Sequence, residues 1–269
     1  MPELAEVEFY RKQWDAGRRQ RIVAVQLHPA KRIFRGADTK ALREILTGAT
    51  LLSSQAHGKQ MLFHFSRNAW LGLHLGMTGQ LRAVLPGPKP FAPSRHDHLV
   101  LRQAARHLVF SDPRQFGRVL FCRGRQPPPW WNRRPPALLS KEFSPSWMST
   151  FLARHPGAPI KAVLLLQRGF PGIGNWMADE ILWQAGIHPR RPAGNLRPSE
   201  ARKLHRVIKS VSRAALRTVG EDFRDPPRAW LFSRRWKPGG HCPKDCSPLR
   251  HAAIAGRTTC WCPCCQTED

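Results

Sequence analysis

The chain has 269 residues, enough for two modest domains each with its own core, and 41% of them are hydrophobic, which excludes a disordered polymer. Its 44 Lys and Arg against 18 Asp and Glu leave a formal charge of +26, spread along the chain rather than gathered in a tail. Such a field attracts polyanions and works against self-association, so nucleic acid is the expected partner, ahead of a membrane surface or an acidic protein, and a monomer is the expected state.

No apolar run approaches the roughly 20 residues of a spanning helix, and the acidic residues 1–8 are not a secretory leader. A cytoplasmic protein is expected, in contact with the bacterial nucleoid if nucleic acid is its partner.

Leu4, Val7, Tyr10 and Trp14 recur at helical spacing and predict an amphipathic helix over 2–20. From 22 to 121 the pattern is that of strands. Short runs at 61–65, 70–75, 98–101 and 119–121 are broken by Gly, Pro and Asn, and one helix near 39–46 interrupts them. An antiparallel β-sandwich follows. Residues 126–136 (QPPPWWNRRPP) suit neither helix nor central strand and predict a linker, part of which packs through its tryptophans. Helical segments are expected at 147–154, 160–167, 175–185 and 199–219, with Gly and Pro between them.

Six of the seven cysteines lie between Cys242 and Cys265, a clustering that in a reducing compartment reads as a metal site; Cys122 stands alone in a strand and is expected in the core. Cys242-x3-Cys246, fifteen residues, then Cys262-x2-Cys265 fits one structural Zn²⁺ at the base of a β-hairpin. Cys260, Cys264, His241 and His251 are near enough to be alternative ligands. The hairpin tip would present Arg257 to a phosphate. Four protein ligands leave no open coordination position, so the metal is structural.

Two further segments carry chemistry. Pro2 follows Met1, and a small second residue permits methionine removal, which would expose a secondary amine able to attack a sugar C1′ and form an iminium. Glu3 beside it can move protons, and Glu6 follows one turn later. The same residues are also ordinary helix-start chemistry. Gly169 to Asn175 joins two helical segments through closely spaced glycines. Asn175 is placed to cap the second helix and to donate to a phosphate oxygen there.

These segments, in this order, resemble the formamidopyrimidine-DNA glycosylase / endonuclease VIII family of base-excision repair enzymes. PELAEVE at 2–8 is similar to the family's PELPEVE opening. HLGMTG at 74–79 and DPRQFG at 112–117 resemble its HLGM(S/T)G and DPRRFG segments. GIGN at 172–175, continuing to His188 and Pro189, resembles its helix–two-turn–helix signature, and AGR at 255–257 with CPCCQ at 262–266 its zinc-finger end.

The resemblance implies an α+β fold: an N-terminal antiparallel β-sandwich with flanking helices, a helix–two-turn–helix domain and a zinc-finger β-hairpin. The domains would be 1–125 (catalytic), 126–140 (linker), 141–235 (DNA-binding) and 236–269 (zinc finger). It implies Pro2 as the Schiff-base nucleophile, Glu3 as its proton-transfer partner, Glu6 in support, and Lys59 against the phosphate at the damaged nucleotide. His74, Asn175 and Arg257 would grip further phosphates. Met77, Arg114 and Phe116 would fill the gap left by the extruded nucleotide. Cys242, Cys246, Cys262 and Cys265 would hold the zinc.

The implied activity is a bifunctional DNA glycosylase/AP lyase that takes oxidised purines (8-oxoguanine and formamidopyrimidines) from damaged double-stranded DNA and finishes by β,δ-elimination. The alternatives are an endonuclease VIII-like enzyme for oxidised pyrimidines and a non-catalytic zinc-containing nucleic-acid binder. The chain departs from the family's pattern at Ala5, in the three-residue spacing of its first cysteine pair, in the lack of an acid at 164–167, and in the short segment 218–236.

Overall fold

The structure, a computed structural model, describes residues 1–236 and 239–268 and divides into two compact units, one of residues 1–2 and 6–134, the other of residues 3–5 and those from 135 onward. No helix among the described residues is long and apolar enough to cross a membrane.

The first unit holds most of helix α1 (Leu4–Gln13) and then β1 (Ile22–Leu27), α2 (Thr39–Leu46), β2 (Leu51–His57), β3 (Gln60–Phe65), β4 (Ala69–His74), β5 (Gln80–Val84), β6 (Asp97–Gln103), β7 (His107–Ser111) and β8 (Arg118–Arg123). The strands form two antiparallel sheets, β1-β6-β7-β5 and β2-β3-β4-β8. Alternation along each strand sends Met61, Phe63, Phe65, Leu71 and Leu73 from one sheet, and Leu99, Leu101, Leu108 and Phe110 from the other, into one core. This is the sandwich expected from the sequence. Helix α2 has the expected bounds because Asp38 caps it, accepting from the Ala41 N–H at 2.9 Å. Helix α1 stops at Gln13, short of the expected 20, where the chain tightens into a 3₁₀ turn at Asp15–Gly17.

The Pro/Trp-rich segment packs through its tryptophans as expected, but part of it is helical, contrary to expectation. Pro129–Asn132 forms a one-turn helix, α3, with Pro129 at a first-turn position, where the missing N–H costs nothing. Trp131 is buried against Leu62 and Trp70 on the outer face of the second sheet, and Trp130 covers Gly72, where a side chain would collide with the indole. Cys122 is only half-buried at the edge of this cluster.

The second unit comprises α4 (Pro145–Ala153), α5 (Ile160–Leu164), α6 (Asn175–Ala185), α7 (Pro198–Arg217), α8 (Val219–Asp222) and the hairpin β9 (Arg250–Ile254) and β10 (Arg257–Trp261). Helix α6 is apolar on most sides and is accordingly the buried axis of the unit. Its Met177, Ala178, Ile181 and Leu182 share a core with Leu204, Ile208 and Val211 of α7. Helix α5 ends at Leu164 rather than 167. The Gln167 side chain ties down the following turn instead, accepting from the Gly172 N–H at 3.0 Å and donating to the Ile173 carbonyl at 2.9 Å. The hairpin has only a small apolar cluster, Trp183, Leu231, Leu249 and three cysteines, too little to hold it without a further tie.

Candidate functional site

In the first unit the two motif loops brace each other. The 75–79 loop leaves β4 for β5 and the 112–117 loop leaves β7 for β8. Thr78 Oγ1 donates to the buried Asp112 carboxylate at 2.7 Å, and the other Asp112 oxygen accepts from the Gly117 N–H at 2.7 Å. Gly76 has φ +64, and a β-carbon there would overlap the Phe116 backbone, so glycine is required for the two loops to touch. The brace leaves Met77 (43% exposed) and Phe116 (40%) standing out from the surface, with the Arg114 guanidinium 4.7 Å above the Phe116 ring. Exposed Met and Phe beside a stacked arginine can replace a stacked base without reading its identity.

His74 ends β4, and its Nδ1 accepts from the Gly76 N–H at 3.0 Å, which leaves the ring proton on Nε2. Burial first, then the nearby Lys59 and Arg35 charges, hold the imidazole below its ordinary pKa. A neutral donor beside a lysine suits a phosphate oxygen. Lys59 is itself buried at the β2–β3 turn. Glu6 stands on α1, where after burial it is the second influence that raises the Tyr10 hydroxyl pKa.

In the second unit Glu3 is buried and takes over the start of α6. Its carboxylate accepts from the N–H groups of Gly174 (2.9 Å), Trp176 (2.9 Å) and Met177 (3.1 Å). The N-cap is Gly174, which makes no side-chain cap, so Asn175 does not cap the helix as expected; the orphan N–H groups are satisfied by a carboxylate 171 residues upstream. A side chain at 174 would collide with that carboxylate, so the glycine here keeps space for Glu3. Asn175 is the first residue of α6, and its Nδ2 donates to the Thr258 carbonyl of the hairpin at 2.8 Å, which orients the amide beside the exposed Arg257.

Beneath Glu3 lies a charged group that sequence reasoning did not find. Lys161 and Arg235 both pair with Asp179, all three are buried, and Lys161 Nζ also donates to the Asn175 carbonyl at 2.9 Å. Their separation along the chain hides this cluster from any local pattern.

At the hairpin base, ligand atoms of Cys242, Asp245, Cys262 and Cys265 lie within 4.8 Å of one another, a group able to hold a metal ion. The donors fit Zn²⁺, since three thiols and a carboxylate suit a tetrahedral site. Cys242 Sγ and Cys265 Sγ are 3.8 Å apart, and two thiolates on one zinc at about 2.3 Å stand about 3.8 Å apart. Three of the four expected cysteines are therefore brought together. Cys246 is exposed and outside the group. Cys260 and His251 also lie outside the group, His251 Nε2 contacting the Arg235 carbonyl instead.

A β-sandwich with an exposed Met–Arg–Phe set, and a helical unit with a hairpin able to hold a metal ion, on a chain of this charge, define the class of a DNA-binding protein. Comparison with known proteins makes the class specific. The sequence matches the formamidopyrimidine-DNA glycosylase N-terminal domain over residues 1–119 and the formamidopyrimidine-DNA glycosylase H2TH domain over 135–225. It is 33% identical to a formamidopyrimidine-DNA glycosylase of Xanthomonas campestris and 32% identical to one of Alkalilimnicola ehrlichii, each over 99% of this chain and all of the relative. Among solved structures it resembles the Lactococcus lactis enzyme non-covalently bound to AP-site DNA (TM-score 0.85, 27% identity, 98% of this chain and 99% of that one). A MutM bound to DNA containing carbocyclic 8-oxo-G is also similar (TM-score 0.87, 27% identity, 99% of this chain and all of that one). The chain belongs to the formamidopyrimidine-DNA glycosylase family.

Proposed function

We propose that this chain is a bifunctional DNA glycosylase/AP lyase that excises oxidised purines, 8-oxoguanine and formamidopyrimidines, from double-stranded DNA. The observation that carries the reading is Glu3. Three backbone N–H groups at the start of α6 hold its carboxylate buried directly after Pro2, where a proton-transfer group for the Pro2 amine belongs.

Once Met1 is removed, the Pro2 nitrogen has a lone pair to attack C1′ of the extruded nucleotide. The C1′–N bond to the base breaks and the base leaves with the proton given up by the Pro2 nitrogen; the C1′–O4′ bond then opens, O4′ taking a proton, and the iminium so formed between Pro2 and C1′ serves as electron sink. Loss of a C2′ proton expels the 3′ phosphate, and a second elimination expels the 5′ phosphate. Glu3 moves protons at the sugar ring oxygen and the leaving base, with Glu6 in support. Lys59, His74, Asn175 and Arg257 hold phosphates. Met77, Arg114 and Phe116 fill the vacated stack, Arg114 facing the orphaned partner base. The sandwich (1–125) carries the chemistry, 126–140 links it to the helix–two-turn–helix domain (141–235), and the hairpin (236–269) completes the grip. One structural zinc holds the hairpin through Cys242, Cys262, Cys265 and a fourth donor, fixing Arg257 in place and taking no part in the reaction. The enzyme acts as a monomer, in the cytoplasm of a bacterium.

A second reading, preference for oxidised pyrimidines, has one observation in its favour. Residues 224–230 show no regular structure and carry Pro226, Pro227 and Trp230 where purine-specific relatives have a longer loop. A similar Lactococcus lactis structure holds DNA with an oxidised pyrimidine. Borohydride trapping on duplexes carrying 8-oxoguanine, thymine glycol or an abasic site, with Pro2→Gly beside the native protein, separates the cases. Trapping at 8-oxoguanine that requires Pro2 is expected. Adducts at thymine glycol but not 8-oxoguanine would move the specificity to pyrimidines. No adduct on any duplex, from protein lacking Met1 and holding zinc, would leave only a binder.

A further inference from the structure

The first cysteine pair is spaced by three residues and the second by two, yet a metal knuckle uses positions i and i+3. In the second pair these are Cys262 and Cys265. In the first they are Cys242 and Asp245, with Cys246 one place too far. We propose that the metal of this hairpin is held by three thiolates and one carboxylate, Cys242, Asp245, Cys262 and Cys265, and that Cys246 is a free thiol off the metal. The inference rests on the zinc reading above and concerns its fourth ligand.

Backbone geometry supports it at both knuckles. The Lys244 N–H points at Cys242 Sγ (3.4 Å) and the Cys265 N–H at Cys262 Sγ (3.2 Å), the turn N–H groups that neutralise a bound thiolate. At Cys246 the backbone turns left-handed (φ +58) and its N–H closes on the Cys242 carbonyl at 3.0 Å, while its side chain is exposed. Bringing Cys246 Sγ to the thiols would require reopening that turn.

The Asp245 carboxylate is oriented as a metal ligand is. Oδ1 accepts from the Ser247 N–H (2.9 Å) and Oγ (2.6 Å), which fixes the plane. Oδ2 faces the thiols, 3.0 Å from Cys265 Sγ and 3.3 Å from Cys262 Sγ. A carboxylate oxygen and a thiolate on one tetrahedral zinc stand about 3.5 Å apart, from bond lengths of about 2.0 and 2.3 Å. Trp183 Nε1 donates to Cys242 Sγ at 3.3 Å, so a side-chain hydrogen bond reaches one of the three thiolates as well. Carboxylate replaces thiolate at equal charge, so the substitution leaves the electrostatics of the site unchanged.

The test is made on full-length protein loaded with Co²⁺ in place of zinc, reading thiolate-to-metal charge-transfer absorption, together with zinc affinity from chelator competition. The native protein is expected to bind one metal per chain with the intensity of three thiolates. Cys246→Ser should leave the spectrum unchanged and the affinity within twofold. Asp245→Asn should weaken zinc by at least the ~10–100-fold that even an outer partner is worth. Asp245→Cys should restore binding and add a fourth thiolate's intensity. A four-thiolate native spectrum that drops on Cys246→Ser, with Asp245→Asn silent, would overturn the assignment and leave the zinc reading intact. Native protein that binds no metal would overturn both.

Discussion

Glu180 offers a test in which the sign and size of an effect follow from burial. It sits on α6 with no exposure, accepting from Gln184 Nε2 at 2.7 Å and from the Phe232 N–H at 3.1 Å. Burial pushes its carboxyl up to about 7, more than those hydrogen bonds and Lys244 pull it down. Between its ordinary 4.5 and about 7 the folded protein holds a proton that the unfolded chain has released, so stability is greatest below 4.5 and falls as pH rises through that window. At about 1.4 kcal/mol per pH unit, the gap from 4.5 to about 7 is worth about 3 kcal/mol, of which about 2 kcal/mol falls between pH 5.5 and 8. Glu180→Gln keeps the shape and an acceptor for the Phe232 N–H but cannot ionise. Urea unfolding of both proteins at several pH values, with zinc held constant, gives a difference in which the other titrating groups cancel. The variant should gain about 2 kcal/mol on the native protein from pH 5.5 to 8. A difference that stays flat over that range would refute the buried-acid account.

Asp179→Asn should cost about 3–5 kcal/mol in the same urea assay, because it leaves the Lys161 and Arg235 charges buried without their counter-ion. Replacing Lys161 by Met as well should recover part of that loss. Gly174→Ala should displace the Glu3 carboxylate, lowering single-turnover base excision at least tenfold while changing DNA affinity little, as gel shift on an uncleavable abasic analogue would show. Arg257→Ala should weaken binding to all duplexes alike and reduce the salt slope of log K by about 0.9, the signature of one lost phosphate contact.

Much of this protein is legible from local sequence. The bounds of α2 follow from Asp38 and the helical spacing after it, those of α6 from the glycines on either side, and the sandwich strands from alternation between turn residues, because each is settled by neighbours a few positions away. Motif order alone carries the family and the candidate residues Pro2, Glu3, His74, Met77 and Arg257. Asp245 could have been found too, since Cys242 and Asp245 repeat the two-residue spacing of Cys262 and Cys265. Other features depended on contacts between distant segments, which no local pattern encodes. That Glu3 rather than Asn175 serves the start of α6 depends on a segment 171 residues away being folded against it. The Lys161–Asp179–Arg235 cluster exists only once α5, α6 and the segment before the hairpin share one core. The packing of Trp130 and Trp131 required the bare surface at Gly72 on a strand whose neighbours were not yet known. Sequence determined the elements and the chemistry available to them; tertiary packing decided which groups meet, because burial and hydrogen bonding are properties of the assembled chain.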